Sequence, residues 1–400
     1  MAFRRQQKNS VISPRAASSG LHPVLMEDTQ DPPFRLATFL AAARYMDWIL
    51  LGSVVLLTVL GLWLLFGCVQ GNDALVAAAG RQITWFGIAL CGLAAALMLD
   101  YRWLGRLAPW AYIANLGLLV FVLIAGTTVN GARSWFRLGP VSFQPSETMK
   151  VVTVLLLAQY WATRPHGVRG IKDLILPGII VAIPMMLILK QPDLGTASLF
   201  IILFFGMMYW AGVKRWILIA LILGGIASCA SVVPFLKDYQ KERLLTFVDP
   251  GRDPTGSGYN VRQSLIAVGN GGLTGRGWGE GTQAVLRYLP EAHTDFIFAS
   301  SVEQTGLAGA IVIIGLYGVI LLRFLRAAEN ARDRFGGLVV IGLGAILLGH
   351  VTLNIGMTIG LLPVTGLPLP FLSYGGSFLL SCYILMGLVL NIAMRRFFFQ

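Results

Sequence analysis

The chain has 400 residues, 56% of them hydrophobic and only 12% charged. That balance excludes an ordinary soluble domain and describes a polypeptide solvated mainly by lipid. The net charge of +12 would suit a nucleic-acid binder if it covered one surface, but it is scattered through short segments between apolar runs, which excludes that reading.

In chain order, residues 1–45 form a tail whose first part, Met1 to about Pro33, is polar and rich in Ser, Pro and Arg. It reads as disordered, and no signal peptide is expected before the first span. A bilayer-crossing helix needs roughly 17 to 25 apolar residues. Ten such segments are expected, near 46–68, 82–99, 106–126, 147–163, 174–190, 194–211, 216–236, 296–322, 336–358 and 371–394. The fold class is therefore an all-α polytopic membrane protein whose membrane domain runs from 46 to 394, with residues 395–400 following it. Nearly all the excess Lys and Arg falls in the tail, in alternate loops (Arg102, Arg106, Arg164, Arg169, Lys172, Lys214, Arg215, Arg323, Arg326, Arg332 and Arg334) and in Arg395 and Arg396. The positive-inside rule then places both termini in the cytoplasm. Cys68, Cys91, Cys229 and Cys382 have no metal-like spacing and read as packing residues.

One connection is long. Residues 237–294 should face outward, with basic and acidic residues nearly balanced and a stretch GYNVRQSLIAVGNGG (Gly258 to Gly272) patterned as a short surface helix. Three shorter outward connections are unusually specified: Asn130 to Lys150, Lys190 to Thr196, and Leu362 to Ser377. Their Pro and Gly residues can break helices at membrane depth where backbone lines an enclosed cavity.

The outward face also carries the chemistry. Asp295 lies where the long loop enters the eighth apolar segment. A carboxylate at the edge of hydrocarbon is poorly solvated, so its proton affinity rises toward neutral pH and it can serve as a base toward a lipid-tailed substrate. The residues alone leave this even with a helix N-cap. His293 could bind an anion, orient substrate or hold the loop. Glu147 and Lys150, three apart, share one helix face as either an ion pair or part of a substrate groove. Arg133, Lys190, Lys241, Arg243 and Arg262 join Lys150 as candidate cations, and Asp193 is a metal ligand or a helix cap. Glu303 is expected to pair with a base from another helix, since a lone acid in a membrane is costly. Ser373 in SYGG lacks the GxSxG context and a partnered His, which excludes serine hydrolysis.

QPSE (Gln144 to Glu147), QPDLGT (Gln191 to Thr196), YQKERL (Tyr239 to Leu244), LPEAHTDFIF (Leu289 to Phe298) and LPLPFLSYGGS, in that order, resemble the shape, elongation, division and sporulation (SEDS) family. With GGLTGRGWGEGTQ (Gly271 to Gln283), the chain is more similar to the rod-shape branch (RodA) than to the division branch (FtsW). The resemblance implies a ten-helix inner-membrane peptidoglycan glycosyltransferase that polymerises lipid II. It further implies a class B penicillin-binding transpeptidase (PBP2-type) and other elongation-complex proteins as partners, a divalent cation (Mg²⁺ or Mn²⁺), and Asp295 as the catalytic base. A lipid II flippase and a noncatalytic scaffold for the transpeptidase are the alternatives from other classes.

Overall fold

The computed structural model describes residues 44–129, 132–138, 141–164, 170–232, 241–242, 245–247, 249–253 and 256–396. Arg243, most of YQKERL and residues 1–43 of the tail lie outside the described residues.

The apolar segments fold as helices because, in hydrocarbon, only a helix satisfies every backbone donor and acceptor within one segment. Their order is α1 (Trp48–Cys68), α2 (Asp73–Met98), α3 (Tyr101–Ala125), α4 (Pro145–Ala162), α5 (Ile175–Lys190, entered through a 3-10 turn), α6 (Leu194–Trp210) and α7 (Arg215–Val232). After the long connection come α8 (Ser257–Gly271), the short α9 (Thr282–Val285), α10 (Ile297–Glu329), α11 (Arg334–Thr358) and α12 (Gly376–Arg395). Seven helical segments among the described residues are long and apolar enough to cross a membrane: α1, α2, α3, α5 with its 3-10 turn, α10, α11 and α12. The other three expected segments form the helices α4, α6 and α7. The protein is a multi-pass membrane protein.

Polar side chains close the helix ends. Asp47 accepts from Leu50 N at 3.0 Å to cap α1 and also takes Arg323 of α10 at 2.6 Å, tying the start of α1 to the end of α10. Asn72 caps α2, accepting from Ala74 N and Leu75 N. The expected segment near 82 therefore begins nine residues early, because a good N-cap extends the helix through its Ala-rich start. At the far end of α2, Asn391 of α12 donates to Leu97 O at 2.6 Å and Leu99 O at 2.7 Å. Tyr101 donates to Asp333 at 2.6 Å, and Arg395 pairs with Asp100 at 3.4 Å. All of these except the Asn72 cap gather at one end of the bundle, which is also the basic end.

Helices α11 and α12 lie at the centre, 67% and 72% buried over their apolar windows, against 22–39% for the other spanning helices. Helix α11 packs on α4, α6 and α10, while α12 packs chiefly on α2. The outer helices are apolar on both faces, one toward the bundle and one toward lipid.

The connection expected as a turn between α3 and α4 is a small antiparallel sheet, so the molecule is not wholly helical. Strands β1 (Thr127–Val129), β2 (Ala132–Leu138) and β3 (Val141–Phe143) pair in chain order, with Phe136 opposite Phe143. Phe136 stacks on Phe121 at 5.5 Å, which anchors the sheet to α3.

Helix α10 is broken once. Gly306 has φ 68° and ψ −165°, and the freed backbone groups bond to the glycine-rich segment before α9. Leu307 N donates to Gly272 O at 2.9 Å, Arg276 N to Glu303 O at 2.9 Å, and Gly277 N to Gln304 O at 3.1 Å. A Cβ at position 306 would lie 2.4 Å from Gly275 N. Gly306→Val is therefore expected to cost at least about 3 kcal/mol, adding backbone strain to overpacking. A lowered midpoint of thermal unfolding in detergent checks this, and an unchanged midpoint contradicts it.

Candidate functional site

The break in α10 lies level with the end of α1 remote from the basic end. Gln304 donates to Leu64 O at 3.2 Å, and Trp278 Nε1 donates to Trp63 O at 2.8 Å. With 33 residues in all, counted across its break, α10 exceeds the roughly 20 that a hydrocarbon core requires. Its first turns, with Asp295 just before them, form the end of the helix remote from the basic end.

The LPEAHTD segment is held by its backbone. Three successive carbonyls are each taken by another element: His293 O by Tyr374 N at 3.0 Å, Thr294 O by Ser373 Oγ at 2.7 Å, and Asp295 O by Asn354 Nδ2 at 2.7 Å. The Asp295 carboxylate accepts no hydrogen bond from the described residues. It does not cap α10 either, because Phe296 occupies the N-cap position. The capping alternative is thereby removed, and the side chain is half-buried and free to act. Burial, reinforced by the charges of Glu291 and Asp193, pushes its pKa from 3.8 to about 7.

The QPSE and QPDLGT motifs meet beside it. Gln144 donates to Asp193 Oδ2 at 3.4 Å, while Asp193 Oδ1 accepts from Thr196 N at 2.9 Å and caps α6. Asp193 is therefore a helix cap, one of its two expected roles. Burial raises its pKa; the bonds to Thr196 and the charge of Lys150 pull it down, and Glu147 raises it. Gly195 permits a close approach here, since a Cβ on it would sit 2.6 Å from Thr365 O in the loop before α12.

Glu147 and Lys150 form the ion pair that their spacing suggests, at 2.8 Å, with Lys150 only 2% exposed. Lys150 Nζ also reaches His350 Nε2 of α11 at 3.0 Å. These three residues line one part of a cavity of about 400 Å³ between α3, α4, α11 and α12. Its other walls are almost wholly apolar, including Leu104, Leu107, Leu155, Leu347 and Phe378. Such a cavity can take a hydrocarbon chain whose polar head stays near Lys150.

The remaining expectations divide. His293 adjoins Asp295, its ring 5.7 Å from that of Tyr374, and burial lowers its pKa against the opposing charge of Glu291. The shift favours the neutral imidazole over the cation. Arg133 is exposed and donates to Leu123 O and Ile124 O, closing the end of α3. No hydrogen bond or ion pair among the described residues brings Lys190, Lys241 or Arg262 to the Asp295 cluster. Among the described residues Glu303 has no ion-pair partner of the expected kind. Fully buried, it accepts instead from Thr282 Oγ1 at 3.1 Å and from Gln283 N at 3.2 Å, so donors of the loop satisfy it.

No group of three or more His, Cys, Asp or Glu residues able to hold a metal occurs among the described residues. Asp193 is committed to its cap, so the donor set does not fit a resident ion held by protein alone. Sequence reasoning missed His350 and Asn354. Two polar residues four apart in an otherwise apolar segment were the available signal, because such residues are expensive in a membrane.

The comparisons with known proteins agree with this architecture. The cell cycle protein family of FtsW, RodA and SpoVE matches residues 40–397. Peptidoglycan glycosyltransferase MrdB of Escherichia coli K12 is 40% identical over 291 residues, covering 72% of this chain and 78% of the relative. A probable peptidoglycan glycosyltransferase FtsW of Thiomicrospira cyclica is 39% identical over 324 residues, covering 78% and 81%. Among solved structures, a chain from work on coordination of polymerization and crosslinking by a peptidoglycan synthase complex has a TM-score of 0.77 at 32% identity. It covers 88% of this chain and 99% of its own length. The rod shape determining protein RodA of Thermus thermophilus has a TM-score of 0.66 at 30% identity, covering 88% and 98%. Matched over residues 40–397 by the family model and 40% identical to MrdB, the chain belongs to the SEDS family of FtsW, RodA and SpoVE and is RodA-like.

Proposed function

We propose that this peptidoglycan glycosyltransferase polymerises lipid II into glycan strands during cell elongation and shape maintenance, with Asp295 as general base. Its place is the bacterial inner membrane, with all ten apolar helices spanning it, both termini cytoplasmic and the Asp295 end outward. The single observation that carries the reading is the Asp295 carboxylate: backbone pinned on three sides, oxygens without a hydrogen-bond partner among the described residues, and a pKa of about 7. A base with a pKa near the working pH is half ionised and still basic enough to accept a proton.

In the reaction, Asp295 takes the proton of the acceptor sugar hydroxyl as that oxygen attacks the anomeric carbon of the donor. The new C–O bond forms while the bond to pyrophosphate breaks, and the lipid pyrophosphate departs from the opposite face with inversion. Lys150 offsets the negative charge that gathers on the leaving group. The apolar cavity below Lys150 receives part of a lipid tail, so substrate enters from the side, within the bilayer. Arg133, Lys190, Lys241, Arg243 and Arg262 belong to the proposal as outlying cations that draw the anionic substrate toward the membrane boundary. A divalent cation, Mg²⁺ or Mn²⁺, belongs to the proposal as a companion of the substrate: when bound it would offset charge on the pyrophosphate, with no protein cage assigned to it.

A class B penicillin-binding transpeptidase of the PBP2 type is the proposed partner, together with other elongation-complex proteins. The likeness to a chain of a solved peptidoglycan synthase complex supports that assignment. The test is synthesis of glycan chains from labelled lipid II by the purified full-length protein in detergent, with partner and divalent cation present. Chains resolved by size are expected, and their absence under all these conditions overturns the proposal.

A further inference from the structure

Lys150 raises a question that the ion pair does not answer. An ammonium has three hydrogen-bond donors and no acceptor. In this protein it is buried and lines the cavity; one donor goes to Glu147 and one to His350, and the third has no hydrogen-bond partner among the described residues. A flexible four-carbon side chain is held in one orientation only if both protein partners are themselves fixed.

His350 is fixed from three sides. Because the ammonium can only donate, Nε2 must be the accepting nitrogen. The ring proton is then on Nδ1, which donates to Pro368 O at 3.1 Å. The imidazole packs against Phe378 with ring centroids 5.3 Å apart. One helical turn further along α11, Asn354 repeats the arrangement, donating to Leu367 O and to Asp295 O, each at 2.7 Å. Helix α11 thus grips two neighbouring carbonyls of one loop. His350 joins that loop to Lys150, and Asn354 joins it to Asp295. The same loop lies against the reacting carboxylate, for a Cβ on Gly366 would be 3.5 Å from Asp295 Oδ2.

We propose that His350 is a positioning residue for glycosyl transfer: one ring nitrogen orients the Lys150 ammonium and the other holds Pro368, so that the cation and the loop beside Asp295 keep one fixed separation. This rests on the polymerase reading above. His350 touches neither the sugar hydroxyl nor the anomeric carbon, and acts through Lys150 and the loop. The chemistry also says what can replace it. The side-chain oxygen of Gln reaches the position of Nε2 and accepts from an ammonium, whereas Phe keeps the packing on Phe378 and offers no acceptor.

The experiment compares the full-length wild type, His350→Gln and His350→Phe on labelled lipid II, with kcat and KM measured separately. Misplacing a catalytic group by about 1 Å costs on the order of 100-fold, so His350→Phe is expected to lower kcat by about 10- to 100-fold, whereas His350→Gln, which keeps the acceptor for Lys150 but not the donor to Pro368, should fall between His350→Phe and wild type. Equal kcat for wild type and His350→Phe overturns the proposal, as does a His350→Gln enzyme no better than His350→Phe. A second readout is independent of turnover. The ¹⁵N spectrum of histidine-labelled protein, with His350 assigned by its loss in His350→Gln, should show a neutral ring protonated on Nδ1 whose Nε2 resonance moves in Lys150→Met. A ring protonated on Nε2, or one insensitive to Lys150, overturns the proposal even if His350→Phe fails to fold. Should the wild type make no chains, the polymerase reading falls, and the spectrum still decides the contact.

Discussion

Asp295→Asn is expected to abolish glycan synthesis, lowering turnover by about 10²- to 10⁴-fold, the range for removal of a general base. Asn keeps the size of the side chain and the backbone carbonyl that Asn354 holds, so helix packing should not change. Unchanged elution on size exclusion, together with lost chain synthesis from lipid II, is the expected pair of results. Normal synthesis by the variant would remove Asp295 from the chemistry.

The raised pKa adds a signature in pH. Catalysis needs the ionised carboxylate, so the rate on lipid II should rise with pH through about 7 and level off above it. Stability runs the other way. Between 3.8 and about 7 the folded protein holds a proton at Asp295 that the unfolded chain has released, so the stability due to this group falls as pH increases. Asp295→Asn should cancel that decline and leave the protein at least as stable as wild type at pH 8. Thermal unfolding at pH 5 and pH 8 measures it, and a variant that loses stability at pH 8 contradicts it. Opposite slopes for rate and stability are expected where a site keeps a charge that folding alone would not favour.

Local patterns carried much of the architecture. The helix expected over Gly258 to Gly272 is α8, Ser257–Gly271, because its amphipathic spacing and closing glycines act within a few residues. The Glu147–Lys150 pair was likewise legible, since positions three apart on a helix adjoin whatever surrounds them. Asp295 stood out through its place at the edge of an apolar run. The sheet over residues 127–143 was hidden by Gly and Pro, which mark turns equally well in a loop or a hairpin. Partners distant in the chain were not legible at all. Glu303 is satisfied by Thr282 and Gln283, twenty-one and twenty residues away, only because α10 breaks at Gly306 and lets the glycine-rich segment in. Lys150 and His350 are 200 residues apart and meet because α11 is central and packs on α4. Contacts of that kind follow from the assembled bundle, and no local periodicity encodes them.

Lys150→Met should separate the electrostatic role of that residue from its role in folding. Removing the ammonium leaves Glu147 without its ion-pair partner and removes the charge that holds down the proton affinity of Asp193. Breaking a buried pair from one side costs about 3–5 kcal/mol, so the single variant should unfold at a clearly lower temperature. Loss of a cation at the leaving group should also lower turnover by about 10²- to 10³-fold. The two effects part in the double variant Glu147→Gln with Lys150→Met. Replacing both members of a buried pair by neutral groups is often close to neutral for stability, so the unfolding temperature should recover most of its loss. Turnover should not recover, because no cation has returned to face the pyrophosphate. If activity came back with stability, Lys150 would be a packing residue whose charge merely answers Glu147, and the stabilisation of the leaving group would have to be assigned to another cation.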